Sequence, residues 1–561
     1  MDKRTLLAVV LSAVVLLGYY ALFPITAPQS PTVQSDESAQ KEDLNTSEVT
    51  LNKESGPSQK AEEKKNESQK TEEVSSQQEK TEEKRAPLRL SSLKTAKVST
   101  ELSSHTGLPT FWKLNDFFQN ANNKGPHTNL LEGSEKTPPM QLLLFAGKES
   151  SFPDYEEVEK TEKHIKYRSA YQGLQLEQIV TTPTEDYSLK LQLNIKNLNE
   201  QAQTIKPGLR ILTKQREQDN GAGFLSFLKR QDFITPLHYS SEGVERQHSL
   251  KDITAYQEGV GDISWSGLED RYFLRGIIAD SSTGENLQAY GVDKAYIFSD
   301  FRYPEETLSP GSEKEYHFTL YLGPKNPTYL NSFSNVHLNE AIDYGWFAVV
   351  ARPILWLLKF FESFIGNWGI AIIILTVFIK LLMHPLTKKS MQSMKAMQKL
   401  QPKLKELREK HKDNRERLNM ETMNLFKTHK VNPMGGCLPM VLQMPIYFAL
   451  YKVLFTATEL YHAPFFGPYQ DLSAPDPYFV LPVLLGVMMV LQQKLTPTAG
   501  DPSQAKMMMI MPIMFSVFML FLPVGLVVYI FVNTVMTVIQ QYMHHRDLSF
   551  LELFKGRKAS T

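Results

Sequence analysis

The chain is nearly without cysteine. Cys437 stands alone among 561 residues, so no intrachain disulfide can form. An exported segment must hold together through its own core, and at roughly 250 residues the candidate is large enough to bury one. The spacings that mark common chemistries are missing too. There is no glycine-rich phosphate loop, no paired metal-ligand spacing and no nucleophile–base arrangement. His105, His127, His164, His238, His248 and His317 are scattered without motif context. No enzymatic activity, catalytic residue, cofactor or metal is therefore expected. Net charge is also absent, since 61 Lys and Arg balance 61 Asp and Glu. Mean hydropathy is −0.29, but that average hides segregation. Residues 31–85 are almost all Ser, Glu, Lys, Gln and Thr, and residues 345–545 hold most of the long apolar runs. Of 21 Met, 19 lie at or after Met383.

The apolar run Leu6–Phe23 is near the lower limit for crossing a bilayer. It reads as an uncleaved anchor (residues 1–26), with Lys3 and Arg4 holding the N-terminus in the cytoplasm. A cleaved signal peptide is the rival, but Pro28 directly after Ala27 suits cleavage poorly. Residues 27–86 have too few aromatic and branched residues to offset the entropy of ordering and read as a tether. Across 87–336 the pattern changes. Leu189, Leu191, Leu193 and Ile195 alternate with Lys190, Gln192, Asn194 and Lys196. Period two means strands with one buried face, so a mostly antiparallel β-sandwich is expected, on the periplasmic side. Residues 337–363 carry a broad apolar stripe at helical spacing (Trp346, Phe347, Val350, Ile354, Leu357, Leu358 and Phe361), with Arg352, Lys359 and Glu362 on a polar side. Such a helix suits the membrane surface; packing on the β-domain is the other reading.

Five further spans are expected near Phe364–Met383, Cys437–Thr456, Phe479–Gln493, Met507–Leu522 and Val524–Ile539, within a core of 364–545. The last three are only 15 or 16 residues long, which implies a locally thinned bilayer. Between Pro385 and Lys430 there are 13 Lys and Arg against 5 acids, whereas Glu459–Tyr478 has no Lys or Arg. The positive-inside rule puts the first segment in the cytoplasm and the second in the periplasm. Residues of about 25–345 then face the periplasm, and the tail 546–561 returns to the cytoplasm.

The cytoplasmic segment 385–431 reads as a helical hairpin, Leu386–His411 and Arg415–Lys430, with Met391, Met394, Met397, Leu400, Leu404 and Leu407 as its seam and Pro402 as a kink. Lys399, Lys403, Lys405, Arg408, Lys412, Arg415 and Arg417 make its surface basic. Charge alone leaves two readings open: a solvated face above anionic headgroups, or a docking surface for ribosomal RNA or a nascent chain. Lys380 is the second feature. It sits in an apolar span whose other polar residue is Thr376, one turn earlier. An intramembrane Lys costs about 2.5–3.5 kcal/mol and should face protein or water. Snorkelling to the headgroups is the alternative, and periodicity does not choose between them. Gln443, Ser516, Asn533, Thr534 and Thr537 lie in other spans. Each alone reads as a helix–helix hydrogen bond; together with Lys380 they would line a hydrophilic groove.

Several ordered motifs resemble the YidC/Oxa/Alb family of membrane protein insertases. They are Asn367-Trp-Gly369, Met383-His-Pro-Leu-Thr387, Lys430-Val-Asn-Pro-Met-Gly-Gly-Cys-Leu-Pro439, Gln443-Met-Pro-Ile446, Asp476-Pro-Tyr478 and Phe521-Leu-Pro-Val-Gly-Leu526. They span about 340–545, and the 87–336 segment matches more loosely, through Trp265 and Asp270-Arg-Tyr-Phe273. The resemblance implies a multi-domain membrane protein of the Gram-negative type. It would have an N-terminal anchor, a periplasmic all-β domain of β-supersandwich kind, and a five-span insertase core. It implies a groove open to the cytoplasm and inner leaflet, with one basic residue, usually Arg, at the position of Lys380. Lys keeps the charge but lacks the planar fork. Tyr529 matches a substrate-contacting aromatic. The implied partners are nascent membrane-protein substrates, membrane lipids, the Sec translocon (SecYEG with SecDF) and the ribosome, with the protein working as a monomer. Two rivals stand beside this. A secondary transporter also places polar residues in spans, though internal repeats are missing. Sugar chemistry in a mutarotase-like β-domain lacks a His/Glu signature, which leaves a binding or structural module.

Overall fold

The computed structural model describes residues 87–546 except 122–124, 135–136, 146–153, 216–232, 248–256, 259–261, 280–286, 294–295, 413, 432–437 and 496–501. The expected anchor, the tether, Cys437 and the tail beyond Arg546 lie outside the described residues.

The alternating stretch behaves as its period demands. Ser188–Asn197 is a strand that buries Leu189, Leu191, Leu193 and Ile195. It pairs antiparallel with Leu174–Thr181 on one side and Glu313–Pro324 on the other. These three strands sit inside a nine-stranded sheet. A five-stranded sheet containing Gly208–Lys214 and Tyr296–Arg302 contributes Leu209, Ile211 and Phe301 to the same core, and the Ser266 hydroxyl donates to Asp300 O at 3.3 Å. This is the expected sandwich. Strand Phe273–Ala279 departs from alternation and is buried throughout. Its sheet's second face is covered by short turns from Pro327 to Ala341: Trp265 Nε1 donates to Val336 O at 3.0 Å, and Tyr239 stacks on His337. Inside the sandwich, Asp300 is fully buried and grips Arg210 through two bonds of 2.6 and 2.8 Å. That bidentate geometry is strong, and removing one partner of such a pair costs about 3–5 kcal/mol.

The helical half begins with α1 (Ala348–Ile365), which stops at Gly366, where a φ of +68° closes the C-cap. Next come α2 (Trp368–Lys410), α3 (Arg415–Thr428), α4 (Leu438–Thr456), α5 (Val480–Leu495), α6 (Pro502–Met519) and α7 (Val524–His545). α1 buries Ala351, Ile354, Leu355 and Leu358 and packs on α2 and α4. Its other apolar side (Val349, Trp356, Phe360 and Phe364) is exposed, as is the preceding Trp346 at 93%. The expected single stripe is thus divided. Ile354 and Leu358 face the bundle while Trp346 faces outward, because the helix has apolar residues on two sides.

The structure corrects two boundaries. The hairpin's first arm is not a separate helix from Leu386: α2 runs unbroken for 43 residues through Pro385 and Pro402. Each proline removes one hydrogen bond, but the neighbouring turns hold the helix together. The last span is also longer than hydropathy suggests. α7 has 22 residues, whereas α5, with 16, stays short and α6, helical over 18, is apolar only over its later part, Met509–Met519. Helical hydrogen bonding simply continues through Gln540, Gln541 and His544, where the apolar run ends. Among the described residues, α2 and α7 are each long and apolar enough to cross a bilayer. Outward faces are apolar on α2 (Ile370, Ile374, Phe378), α5 (Val483, Val487, Leu491) and α6 (Ile510, Ile513, Val517). Such continuous exposed patches suit lipid rather than water.

The β-domain and the bundle are joined by side chains. Arg271, in the turn before Phe273, donates to Phe455 O at the end of α4 and lies 3.7 Å from the Phe455 ring centre. Tyr461 packs against Phe117, Tyr272 and Phe273, and its hydroxyl donates to Phe118 O at 2.9 Å. Asp343 pairs with Lys452 of α4 at 2.8 Å, and Lys359 of α1 pairs with Glu459 at 2.5 Å.

Candidate polar site within the helical bundle

α2 starts at Asn367, whose side chain accepts from the Ile370 amide at 3.0 Å. Three turns on, Lys380 points into the bundle and is only 8% exposed. Its Nζ donates to Thr537 Oγ1 of α7 at 2.9 Å. An ammonium has three donors, and among the described residues no carboxylate pairs with this one. Thr537 in turn donates to Asn533 O at 2.8 Å. Asn533 Nδ2 donates to the Tyr447 hydroxyl of α4 at 2.5 Å, and Gln443 Nε2 donates to the Tyr529 hydroxyl at 2.9 Å. The Tyr447 and Tyr529 rings meet edge to face, 5.6 Å apart. A lone cation thus sits beside a polar network shared by α2, α4 and α7, inside an otherwise apolar bundle.

Of the sequence-derived candidates, Lys380, Gln443, Tyr529, Asn533 and Thr537 fall in this network. Thr376 does not join it: its hydroxyl donates to Ile372 O of its own helix at 2.6 Å. Ser516 lies at the α5–α6 seam, where it donates to Pro482 O at 2.7 Å. A Cβ on Gly486 would come within 2.7 Å of that Ser516 oxygen, so the two helices touch there with no room to spare. Thr534 bonds back to Ile530 O at 2.7 Å. The residue that sequence reasoning missed is Tyr447. It lies one turn beyond Gln443 on α4, so an i,i+4 search from Gln443 would have found it.

On the cytoplasmic hairpin, Leu400 and Leu404 form the buried seam, and Lys399, Lys403, Lys405, Arg408, Lys412 and Arg417 are exposed. Lys403 Nζ lies 3.1 Å from His429 Nε2 of the returning arm. Arg415 is the first residue of α3, on the Asn414 cap. Met391, Met394 and Met397 are half-buried, but Met420 and Met423 on α3 are exposed. In the β-domain, His164, His238 and His317 sit near Glu159, Glu245 and Glu315 respectively, at separate places. Among the described residues, no group of three or more His, Cys, Asp or Glu could hold a metal ion.

Comparison with known proteins covers both halves of the chain. Residues 360–550 match the family described as 60Kd inner membrane protein, and residues 90–357 match the YidC periplasmic domain. The membrane protein insertase YidC of Geobacter metallireducens is 33% identical over 98% of this chain and all of its own length. That of Geobacter sulfurreducens is 42% identical over 54% of this chain and 57% of its own length. A crystal structure of an active YidC insertase with its first transmembrane domain resolved covers 81% of this chain and 94% of its own, at 16% identity and a TM-score of 0.37.

Proposed function

Because the chain belongs to the YidC family of membrane protein insertases, we propose that it inserts integral membrane proteins into an inner membrane by way of the polar network around Lys380. The observation that carries the site assignment is Lys380 itself: an ammonium turned into an apolar bundle, bonded to one hydroxyl and paired with no carboxylate among the described residues. An acidic side chain near the end of a client segment supplies the missing counter-charge. Two unit charges 4 Å apart at an effective dielectric near 20 attract by about 4 kcal/mol. Gln443, Tyr447, Tyr529, Asn533 and Thr537 replace part of the hydration that the client's polar end gives up.

The client's apolar stretch then moves into lipid along the outward apolar sides of α4 and α6. Apolar transfer, at about 25 cal/mol per Å², and the membrane potential acting on charge supply the free energy. No nucleotide enters this scheme, and the protein acts as a non-enzymatic insertase. Bilayer thinning contributes through α5 and α6, whose apolar stretches are short, whereas α7 reaches an ordinary length.

The charge asymmetry supports a topology with residues 385–431 and both termini in the cytoplasm and residues of about 25–345 in the periplasm. The exposed cations of the hairpin support docking of the ribosome. The Sec translocon and a monomeric working state complete the proposal.

The test is depletion of the native insertase and complementation with Lys380 variants. Lys380→Arg should keep most insertion of acidic-tailed clients. Lys380→Ala should lose about tenfold, the factor that 1.4 kcal/mol gives, and Lys380→Glu should lose more. Normal insertion by Lys380→Glu would sink the assignment.

A further inference from the structure

The helices of the bundle are not held equally. α2, α7, α5 and α6 pack one on the next, but α4 packs chiefly on α1 and only lightly on α2 and α7. Among the described residues it has no comparable seam with α6. α1 also packs on α2, where the Phe361 and Phe378 rings meet with centres 6.0 Å apart. α1 is therefore the main link between α4 and α2, although it is the one long helix of this half whose outward row (with Trp346 before it, then Val349, Trp356, Phe360 and Phe364) is rich in exposed aromatics. Such a row suits the membrane interface.

Charges pin α1 to α4 at two points. Asp343, just before α1, pairs with Lys452 of α4 at 2.8 Å, and Lys359 of α1 pairs with Glu459, just beyond α4, at 2.5 Å. Near the first pin Phe347 stacks on Phe448 of α4, ring centres 5.3 Å apart. The pins are sixteen positions apart on the α1 side and seven on the α4 side. Two separated pins fix an angle, whereas one alone would leave a pivot. Their polarity is reversed: the α1 side is acidic at 343 and basic at 359, and the α4 side is basic at 452 and acidic at 459. Docking end for end would bring like charges together, so the charges admit one direction only. All four residues are half-buried, where salt screens a pair less than in open water.

We propose that α1 is a strut that sets where α4 stands relative to α6, with Lys359 and Glu459, and Asp343 and Lys452, as the positioning residues that hold it. This rests on the reading that clients enter lipid along the outward sides of α4 and α6. None of the four charges touches a client. They act through α4, whose separation from α6 is left open by its own packing and is fixed from the α1 side. The aromatic row of α1 refers that separation to the surface of the bilayer. With one pin broken, α4 turns about the other, and the distance between the two client-facing helices is no longer single.

Distance and insertion are measured together in vesicles containing the purified full-length protein. Spin labels are placed at Met444→Cys on α4 and Ile513→Cys on α6, both exposed positions, in a Cys437→Ser background, and their separation is read by double electron–electron resonance. The labelled parent should show one narrow distance. Lys359→Glu sets two carboxylates against each other and should broaden or shift it, with insertion slowed by about fivefold, the upper range for a partly exposed ion pair. Exchanging the charges, Lys359→Glu with Glu459→Lys, should bring both the distance and the rate back to the parent's. A parental distance in Lys359→Glu would overturn the strut, and so would a charge exchange that restores neither reading. If Lys359→Glu does not fold, Lys359→Met is measured in its place, and a parental distance there overturns the strut equally. The distances need no client. A labelled parent that inserts nothing would count against the insertase reading, while the strut would still stand or fall on the distances.

Discussion

Two threonines one helix apart show how little a residue type says about its role. Thr537 is the acceptor for Lys380, whereas Thr376, on the same helix as Lys380, spends its hydroxyl on Ile372 O. Thr537→Val keeps the shape and removes the acceptor. Insertion of acidic-tailed clients should fall severalfold, and Thr376→Val should leave it within about twofold, the range of one weak membrane hydrogen bond. The same vesicle assay reads both. From sequence, Lys380 and Thr376 share a face and look like partners. The partner on α7 cannot be read, because hydropathy periodicity gives each helix an inner face without saying which helix stands opposite. Tyr447 was overlooked for a related reason: an aromatic in an apolar span gives no polar signal until its hydroxyl is seen to accept from Asn533.

At the scale of elements, α5 and α6 meet at a close seam. Gly486 leaves no room for a Cβ beside Ser516, whose hydroxyl holds Pro482 O. Gly486→Val should force the helices apart and lower the protein's resistance to thermal unfolding in detergent by about 1–3 kcal/mol, the usual cost of overpacking. Gly486→Ala combined with Ser516→Ala, which clears the contact, should recover most of it. An unchanged melting temperature in Gly486→Val would mean that the seam is slack. The strand pattern from Leu189 to Ile195 was legible because one face is buried and the other is polar. The two-sided burial of Phe273–Ala279 was not, since a continuous apolar run does not show what covers its second face. The unbroken course of α2 was hidden by Pro385 and Pro402. Proline is read as a helix boundary, but a boundary needs more than one missing hydrogen bond.

At the scale of the whole molecule, the β-domain is fastened to the bundle near Asp343. Burial pushes the Asp343 carboxyl up, but the Lys452 ammonium, its hydrogen bond, the Arg246 charge and the Gly345 amide outweigh that and hold it below the usual carboxylate range. A depressed carboxylate contributes stability that is fully present above the unfolded value and is lost as pH falls through the folded one. The fastening should therefore survive acidification to about pH 4 and loosen below it. Lys452→Met leaves burial unopposed by that cation, so loosening should begin at a higher pH. Hydrogen exchange of the 337–347 backbone against pH measures both transitions, and coincident transitions in parent and variant would refute the assignment. The overall division into β-domain and helical core was plain from the shift in periodicity. The fastening was not, because Asp343 and Lys452 are over a hundred positions apart and carry no shared pattern.

The continuity of α2 has a mechanical consequence. Its stretch beyond Pro385 is a lever about 38 Å long, at 1.5 Å per residue, rooted in the same rod that carries Lys380. A swing of about 10° at the membrane moves its far end by about 7 Å. The rod's weakest joints are Pro385 and Pro402, where a backbone bond is missing. A large body seated on the hairpin therefore exerts torque one to two turns from the buried ammonium, and a tug on the buried segment is felt by whatever the hairpin holds.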